Sequence, residues 1–562
     1  IIHDVFSPSV CVWDQAMSGS GSDNTSIVGN ISKRTSSRQR QQKLRVGIHS
    51  GPVTGGVLRG DRSRFQLFGD TMNTAARIES TSRRGRIQVS AETANILINA
   101  GRGRWLEKRE DAIIAKGKGK METYWLVVSA CDRGEAASVT TMSEQDGNDS
   151  NDFVNHNTAT TATIGVKVAG VSERTCRLID WNVEMLLRIL KCVVANRNAK
   201  MKTTPSIKST TASEVDALLQ KRGTPLEEVR EIIALPKFDS KTASLEEDPN
   251  QVIIPKPVIQ QLQHYVSCIA SMYRDNPFHN FDHASHVVMS VIKLMSRIVA
   301  PNLEGGQDAS THAATLHDHT YGITSDPLTH FACALSALIH DVDHTGVPNN
   351  QLINENSKLA KMYSNRSVAE QNSLDLSWNL LMSDRYADLR NALYSTEAEL
   401  NRFRQLIVNS VMATDIADKD LKQLRNQRWD RAFKVDKEAD SNEIRSQESM
   451  SVGGTQNDSV NRKATIVIEH LIQASDVSHT MQHWHVYRKW NENLFEEMYN
   501  AYKEGRAAKD PSEFWYKGEI GFFDFYIIPL AKKLKDCGVF GVSSDEYLNY
   551  AIVNRREWED RG

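Results

Sequence analysis

An apolar run of the chain ends in a cluster of four ionisable side chains. The stretch is SALIHDVDHTG, residues 336–346, and it places His340, Asp341, Asp343 and His344 within five positions. Charged side chains and imidazoles are costly to bury unless they are paired or bind a metal ion. The stretch therefore indicates either local ion pairs where a helix reaches the surface, or a metal site. The rest of the chain decides between the two.

The composition is that of a globular protein with several domains. At 562 residues the chain has room for roughly three to four domains of ordinary size. Hydrophobic residues make up 40% and charged residues 25%, as in other soluble proteins. The formal net charge of -2 provides no basic surface for a nucleic acid, so we expect no nucleic-acid partner.

The cysteines and the hydropathy pattern predict a cytoplasmic location. The seven cysteines are scattered and include no CxxC pair, which indicates a reducing compartment. The chain has no run of about 18 apolar residues, so we expect no membrane segment in it. Because it starts at Ile1 rather than methionine, we expect a fragment of a longer protein, whose upstream regions can carry a membrane attachment.

The first part of the chain divides into three segments by composition. Residues 1–43 contain a stretch rich in Ser, Gly, Gln and Arg, and we predict an irregular or disordered segment there. Residues 44–128 alternate short strand patterns with helical ones, which indicates an α+β domain. A stretch rich in Thr, Ser, Asn and Asp predicts a polar linker at residues 129–170.

The second part of the chain is predominantly helical by pattern. Within residues 171–224, apolar residues at helical spacing predict a connector or dimerising helix followed by a linker. Residues 225–562 predict an all-α domain, interrupted by polar inserts near 302–318 and 434–460. We therefore expect a multidomain protein, with an α+β domain followed by an all-α helical domain.

Further histidines and acids in the helical part favour the metal site. His279 and His283 are four residues apart, which is one helical face, and His340 and His344 repeat that spacing. Asp476 follows an apolar helical pattern. Imidazole and carboxylate ligands suit zinc, iron, magnesium or manganese. A site built from two histidines and two aspartates leaves positions for water, as catalytic metal sites do.

The helical part resembles the class I cyclic-nucleotide phosphodiesterase catalytic domain, an all-helical fold. The resemblance implies metal-dependent hydrolysis of cAMP, cGMP or both to the 5′-monophosphate, in intracellular signalling. It rests on motifs that occur in order: FHNFDHASHVV, ALIHDVDHTGVPNNQLINENSKLAKMYSNRSVAEQN, ATDIADK, QASDVSH, YRKWNENLFEEM, IGFFDFYIIPL and NRREW.

The resemblance implies two divalent metal ions. His283, His340, Asp341 and Asp476 would hold a tightly bound zinc ion, Zn²⁺. Asp341 would also bridge to a second ion, Mg²⁺ or Mn²⁺. Two neighbouring cations lower the pKa of a shared water and neutralise the charge that grows on the phosphate.

The resemblance also implies the groups that surround the metals. His279 would be the general acid that protonates the leaving 3′-oxygen. Glu370, His344 and Asp343 would orient ligands and hold water. The stretch EQNSL, residues 370–374, departs from the family, because Asn and Ser stand where two histidines are usual.

The implied base pocket contains a second departure. Leu494 and Phe522 would clamp the purine, with Phe495 nearby. Three residues before that phenylalanine the family has a glutamine, whereas this chain has Glu519. An ionised glutamate only accepts hydrogen bonds, whereas glutamine also donates. The sequence therefore leaves the choice between cAMP and cGMP open.

Residues 44–128 resemble the C-terminal half of a class III nucleotide cyclase, most like the guanylate type. The motifs are LRVGIHSGPVTGGVLRGDRSRFQLFGDTMNTAARIESTSRRGRIQVS and AKGKGKMETYWL. The resemblance implies that Asn73 orients the ribose, Arg77 stabilises the transition-state phosphate charge and Lys116 meets the triphosphate. Gln66 stands at the base-reading position.

The metal-binding aspartates of such cyclases lie upstream of the VGIH motif. In this chain Asp4, Asp14 and Asp23 stand there without a recognisable metal-binding context, so we expect no synthesis of cyclic nucleotides by this chain alone. Three hypotheses follow: a phosphodiesterase with an incomplete cyclase domain, which leads; a bifunctional cyclase–phosphodiesterase whose upstream cyclase half lies outside the chain; and a non-catalytic nucleotide-sensing scaffold. The expected partners are a cyclic nucleotide and a homodimer or cyclase-domain partner.

Overall fold

The chain forms two compact units, residues 1–166 and 167–562. Among the residues that the structure describes, none of the helices has the length and apolar character needed to cross a lipid bilayer. The structure is a computed structural model, and it describes residues 10–12, 45–52, 54–58, 64–68, 70–83, 86–99, 103–111, 113–115, 119–127, 172–203, 223–298, 309–434 and 456–561.

The described part of the first unit is built on a mixed five-stranded sheet of order β1-β2-β5-β9-β6, in which β2 and β5 are parallel and the other neighbouring pairs antiparallel. Strands β3 and β4 form a separate antiparallel hairpin, and so do strands β7 and β8. The strands are β1 (Val10–Val12), β2 (Val46–Ser50), β3 (Thr54–Leu58), β4 (Arg64–Phe68), β5 (Ile87–Ser90), β6 (Leu106–Lys108), β7 (Ile113–Ala115), β8 (Gly119–Met121) and β9 (Thr123–Leu126), and the helices are α1 (Asp70–Ser80) and α2 (Ala91–Asn99).

Helix α1 packs directly on strand β2. Ala75 and Ile78 are buried on its inner face, as an amphipathic helix requires. A Cβ atom at Gly47 in β2 would lie 2.1 Å from the backbone nitrogen of Glu79, so only glycine allows this approach. The predicted α+β domain is confirmed. Strand β1 lies inside the segment predicted to be irregular, where the β-prone sequence VCV pairs antiparallel with β2.

The described residues of the second unit form helices and no strand, as predicted. Part of the first predicted polar insert is helical, because the sequence there contains good helix formers such as Ala and Leu. The helices are α3 (Glu173–Thr203), α4 (Pro225–Glu228), α5 (Ser240–Leu245), α6 (Lys256–Met272), α7 (Phe281–Ser296), α8 (Ala309–His319), α9 (Pro327–Ile339), α10 (Asn349–Asn354), α11 (Lys358–Met362), α12 (Val368–Met382), α13 (Ala387–Leu393), α14 (Glu397–Ala413), α15 (Lys419–Trp429), α16 (Gln456–Asp476), α17 (Trp484–Lys503), α18 (Trp515–Phe522), α19 (Ile528–Asp536) and α20 (Val542–Arg561).

Helix α9 lies at the centre of this unit. Its sequence PLTHFACALSALI is apolar around nearly the whole circumference, and the residues from Leu328 to Ile339 are buried with the exception of His330. A helix that is apolar on all sides is stable only when it is surrounded by other helices. Helices α3, α7 and α14 pack against it. The C-terminal end of α9 is therefore followed directly by two of the predicted metal ligands, His340 and Asp341.

Helix α3 differs from the connector or dimerising helix that we predicted. Ile179, Leu186, Leu190 and Val193 belong to the core of the helical unit, where they pack with residues of α6, α7 and α9. Of the apolar residues that suggested a dimer contact, Leu190 is buried in this core, and Leu178, Trp181 and Ile189 are half-buried against it. The bounds predicted for the domains and linkers stay predictions.

We expect Leu190→Ala to lower the free energy of unfolding of the helical unit by about 2–5 kcal/mol, because a fully buried leucine leaves a cavity. Urea unfolding followed by far-UV circular dichroism measures the effect. Met201, on the same helix, is 61% exposed, and Met201→Ala should change stability by less than about 0.5 kcal/mol. A change of oligomeric state without loss of stability in Leu190→Ala would instead support a dimerising helix.

Candidate metal and acid–base site

Three helix ends of the second unit carry the predicted metal ligands. His283 lies in the first turn of α7, where the side chain of Asn280 caps the helix by accepting the His283 backbone N–H at 3.0 Å. His340 and Asp341 directly follow α9, and Asp476 is the last residue of α16. Polar side chains at helix ends reach the edge of the core without interrupting the apolar helices behind them.

The ligand atoms of His283, His340 and Asp476 all lie within 4.8 Å of one another, and the carboxylate of Asp341 lies beside the two imidazoles. Nε2 of His340 lies 3.1 Å from Oδ2 of Asp341 and 3.3 Å from Oδ1 of Asp476. Nε2 of His283 lies 3.1 Å from the same Asp476 oxygen and 3.8 Å from the same Asp341 oxygen. The imidazoles are 1% exposed, whereas the carboxylates of Asp341 and Asp476 are 15% and 21% exposed. The carboxylates therefore form the open side of the cluster.

The cluster fits a divalent metal ion. Nδ1 of His340 lies 3.0 Å from the carbonyl oxygen of Ala337, which can only accept, so Nδ1 carries a proton and Nε2 faces the carboxylates. Although carboxylate oxygens lie 3.1 Å and 3.3 Å from that buried Nε2, none of them is in hydrogen-bond geometry with it among the described residues. Ligands about 2.1 Å from a tetrahedral zinc ion lie roughly 3.4 Å from one another, which matches the separations in this cluster.

The charges around the cluster favour a cation at its centre. Burial opposes protonation of His340, but Asp341 and Asp476 outweigh it and raise the pKa of His340 well above its usual value. Burial also opposes ionisation of the two carboxyls, but the facing imidazoles hold the pKa of Asp341 and of Asp476 below the usual range. A proton and a metal ion compete for the same nitrogen, so metal binding releases protons.

His279 is held beside the cluster by a buried carboxylate. Nδ1 of His279 and Oε1 of Glu497 lie 2.5 Å apart, and Oε2 of Glu497 accepts the backbone N–H groups of Phe278 and His279 at 2.9 Å. Burial lowers the pKa of His279, but the Glu497 carboxylate outweighs it and raises this pKa to about 9. The pKa of Glu497 falls to about 2 despite its burial. His279 is therefore an imidazolium at neutral pH, and its Nε2–H is available to a ligand.

A second imidazole, His344, lies against His279. The two ring centroids are 3.9 Å apart. Nδ1 of His344 accepts the backbone N–H of Gly346 at 3.2 Å, and burial together with the neighbouring His279 lowers the pKa of His344 to about 4. His344 is therefore neutral, with its proton on Nε2. The site places a charged imidazole and a neutral imidazole side by side, and each has a proton on Nε2.

Glu497→Gln should lower the pKa of His279 from about 9, because the amide does not stabilise the imidazolium and burial opposes its charge, while Asp341 and Asp476 still favour it. An NMR titration of the His279 ring measures this pKa. Glu496, the exposed neighbour on α17, provides the control, and Glu496→Gln should leave the pKa in place. A His279 pKa that stays near 9 in Glu497→Gln would refute the assigned role of Glu497.

Asp343 lies in the turn that follows the predicted metal ligands His340 and Asp341. Its φ of 63° is left-handed, and its backbone N–H donates to the carbonyl oxygen of Met272 at 3.2 Å. Its carboxylate accepts hydrogen bonds from Nε of Arg274 at 2.8 Å and from Nδ2 of Asn372 at 3.1 Å. Asn372 is one of the two residues that depart from the family pattern. The hydrogen bonds of Asp343 with Arg274 and Asn372 thus stabilise the turn.

Glu370 lies in the first turn of α12 and is half-buried. Nδ2 of Asn349 donates to Oε2 of Glu370 at 2.9 Å. Burial and the neighbouring Asp415 raise the pKa of Glu370 to about 8. Asp415 is itself held by the hydroxyl of Ser367 at 2.7 Å. The Asp341 carboxylate is near enough to raise the pKa of Glu370 further, so Glu370 lies beside the predicted metal ligands.

The predicted base-binding residues lie on helices α17 and α18. Leu494 precedes Glu497 by about one turn on α17, and Phe522 follows Glu519 by about one turn on α18. Leu494 and Phe522 are half-buried, so each leaves apolar surface for a ligand. Glu519 is buried and accepts a hydrogen bond from the hydroxyl of Tyr487.

Glu519 is buried beside two polar side chains, Tyr487 and Asn491. Burial raises the pKa of Glu519, and hydrogen bonds from Tyr487 and Asn491 partly offset it. Phe495, which the sequence placed near the pocket, packs edge-on against Trp515 with ring centroids 5.0 Å apart.

The residues predicted in the first unit fall on two elements. Asn73 and Arg77 lie four residues apart on α1, on the face opposite the buried residues that contact β2. Gln66 lies in the β3–β4 hairpin, where it pairs with Gly56. Lys116 lies outside the described residues, and so do the three upstream aspartates Asp4, Asp14 and Asp23.

Comparison with protein families gives two matches. Residues 278–539 match the family of 3′5′-cyclic nucleotide phosphodiesterases. Residues 24–128 match the adenylate and guanylate cyclase catalytic domain. Both resemblances that the sequence motifs indicated are confirmed. The cyclase match starts at residue 24, inside the segment that we predicted to be irregular.

Individual relatives cover parts of the chain. "Probable 3′,5′-cyclic-AMP phosphodiesterase pde-4" of Caenorhabditis elegans is 27% identical over 286 residues, which is 48% of this chain and 36% of that protein. "Guanylate cyclase 2G" of Mus musculus is 49% identical over 88 residues, which is 16% of this chain and 8% of that protein. The chain thus spans about a third of the first relative and less than a tenth of the second.

A solved structure is also similar. The phosphodiesterase domain of the RhoPDE fusion protein from the choanoflagellate Salpingoeca rosetta aligns with a TM-score of 0.40 and 22% identity, over 53% of this chain and 83% of that chain.

Proposed function

We propose that this chain, in which a cyclic-nucleotide phosphodiesterase domain at residues 278–539 is fused to part of a nucleotide cyclase domain, hydrolyses 3′,5′-cyclic nucleotides to 5′-monophosphates. The observation that carries the proposal is the convergence of His283, His340, Asp341 and Asp476 beside the charged imidazole of His279. Metal ligands and a proton donor in one open cluster are what hydrolysis of a phosphodiester requires.

We propose two metal ions for this site. His283, His340, Asp341 and Asp476 would hold Zn²⁺, and Asp341, as one of the two more exposed ligands, would also contact Mg²⁺ or Mn²⁺. When bound, the metals supply a hydroxide at neutral pH and offset negative charge on the phosphate.

His279 is proposed to protonate the leaving 3′-oxygen. Its Nδ1 is occupied by Glu497, so the proton is given from Nε2. Because Glu497 keeps His279 charged at neutral pH, the proton is present before the P–O bond breaks. The neutral His344 beside it offers an Nε2–H that can bind a phosphate oxygen without adding a second charge.

The remaining predicted residues are proposed to position these groups. Asp343 holds the turn that follows Asp341, and Glu370 holds water beside the cluster. Leu494 and Phe522 are proposed to flank the base, with Glu519 at its edge.

The first unit is proposed to bind a nucleoside triphosphate with a second cyclase domain, because class III cyclase sites form between two such domains. Asn73, Arg77, Lys116 and Gln66 are the residues of this chain that would take part. A second copy of this chain, as a homodimer, is one source of the partner domain.

The product of the reaction tests the main proposal. The purified chain is incubated with cAMP or cGMP and Mn²⁺ in ¹⁸O-labelled water, and the products are separated by chromatography and weighed by mass spectrometry. We expect a 5′-monophosphate that carries one ¹⁸O atom in its phosphate. A 3′-monophosphate, or no product from either nucleotide, would overturn the proposal.

A further inference from the structure

The turn that carries His344 is tied to the backbone before α7 by one side-chain amide. Nδ2 of Asn276 donates to the carbonyl oxygen of His344 at 2.8 Å and to that of His279 at 3.0 Å. Both acceptors are carbonyl oxygens, so the orientation of the Asn276 amide is fixed. Asn276 therefore links the backbones of the two histidines whose ring centroids lie 3.9 Å apart.

A guanidinium holds the next residue of the same turn. Nη1 of Arg506 donates to the carbonyl oxygen of Thr345 at 2.9 Å. Nε and Nη2 of Arg506 donate to the two carboxylate oxygens of Glu355, the residue after α10, at 2.9 Å and 3.2 Å. A two-point contact of this kind fixes the plane of a guanidinium, whose N–H donors form a rigid fork. Glu355 thus directs Nη1 of Arg506 at the turn.

The position of Arg506 is set by the end of α17. The helix ends at Lys503, and Gly505 follows with a left-handed φ of 73°. The backbone N–H of Arg506 then donates to the carbonyl oxygen of Ala501 at 2.9 Å. A glycine in this conformation commonly reverses the chain after a helix, because it has no Cβ atom to resist a positive φ. Arg506 is therefore fixed relative to α17.

Helix α17 thus supports both histidines. Its Glu497 holds the ring of His279, and Arg506, beyond its end, holds the turn of His344. The turn also packs on Glu497, because a Cβ atom at Gly346 would lie 3.5 Å from Cγ of Glu497. A shift of the turn relative to α17 would therefore separate the two imidazoles.

We propose that Arg506 is a positioning residue that holds His344 beside His279 through the carbonyl oxygen of Thr345. This inference rests on the proposed function, in which Nε2–H of His344 binds a phosphate oxygen. Without Arg506, water can satisfy the carbonyl oxygen but does not fix its position. Because the contact with the phosphate is made in the bound substrate and kept in the transition state, its loss is expected mainly in KM.

A double-mutant cycle tests the proposal. Arg506→Met removes the donors and keeps much of the side-chain length, and we expect it to raise KM for cAMP or cGMP about 10-fold with the metal content unchanged. His344→Ala should raise KM at least as much. In the double variant the two effects should not multiply, because Arg506 acts through His344. A residue with a merely structural role would exert its full effect in both backgrounds.

Arg488 provides the matched control. It is exposed on α17, where it forms an ion pair with Glu492, and Arg488→Met should keep the wild-type KM. Circular dichroism and urea unfolding show whether each variant is folded. The glutamine side chain in Arg506→Gln is too short to reach Thr345 and should give the same loss, so this variant carries the test if Arg506→Met does not fold.

The possible results separate this inference from the proposed function. If folded Arg506→Met keeps the wild-type KM, or if its effect is the same with and without His344, the inference is wrong while the proposed function stands. A folded Arg506→Met protein that loses bound metal would also contradict the inference, because Arg506 would then support the metal ligands. If the wild type hydrolyses neither cAMP nor cGMP, both proposals are overturned.

Discussion

His340→Ala is expected to remove bound metal and to reduce hydrolysis of cyclic nucleotides by more than about 100-fold. Loss of a residue that only supports a metal ligand already costs about 10-fold to 100-fold, and His340 is itself a proposed ligand. Its Nε2 faces both Asp341 and Asp476, so the variant leaves two carboxylates without the group that they face. Metal content of the purified protein and kcat/KM measure the two effects.

A surface histidine provides the control for this variant. His312 is exposed on α8 in the same unit, and His312→Ala should keep both the metal and the activity. Circular dichroism shows whether His340→Ala is folded. A folded His340→Ala protein with the full metal content and wild-type rates would exclude the proposed ligand.

His279→Gln is expected to lower kcat by about 10²-fold to 10⁴-fold while the metal content is unchanged, since it removes the proposed general acid and none of the ligands. The proposed mechanism requires a protonated His279, and the Glu497 carboxylate raises the pKa of His279 to about 9. Activity of the wild type should therefore be retained below this pKa and fall as the pH rises through it. A pH–rate profile measures this fall in activity at high pH, and the fall should be absent in His279→Gln.

A change of leaving group separates proton donation from other roles of His279. In a cyclic nucleotide with sulfur in place of the bridging 3′-oxygen, the leaving group is a thiolate, which departs without a proton. With this sulfur substrate, the rate of His279→Gln should approach that of the wild type. An equal loss with the oxygen and the sulfur substrates would show that His279 acts by binding or positioning and not as the acid.

The fold class could be predicted from the sequence because the two parts of the chain have different periodicities. Strand and helix patterns alternate before residue 128, whereas helical patterns dominate after residue 225. The apolar run that forms α9 predicted a core helix, and its burial follows from its composition. The role of α3 could not be predicted, because an apolar stripe has the same pattern whether it meets its own unit or a second copy.

The stretch HDVDH shows where sequence reasoning about the site reaches its limit. The spacing of its four polar residues does not distinguish them. In the structure His340 faces Asp341 and Asp476, and Asp341 also faces His283. Asp343 instead accepts a hydrogen bond from Arg274. The left-handed φ at Asp343 turns the chain away after the second ligand. Contacts between helix ends far apart in sequence require the tertiary structure.

Glu497 was missed by sequence reasoning for a related reason. It follows Glu496 directly, and two adjacent acids in a helix resemble an exposed charged face. The structure buries Glu497 against His279 and leaves Glu496 exposed. A signal was available, because Glu497 falls three residues after Leu494 and seven after Trp490, on the same helical face.

The dependence of hydrolysis on metal tests the central claim most directly. The chain is stripped with a chelator, and Zn²⁺ followed by Mg²⁺ or Mn²⁺ is added back while bound metal and 5′-monophosphate are measured together. We predict no hydrolysis by the stripped protein and a rate that returns in proportion to the bound metal. Hydrolysis that persists after the metal is removed, or fully loaded protein that hydrolyses neither cAMP nor cGMP, would contradict this account.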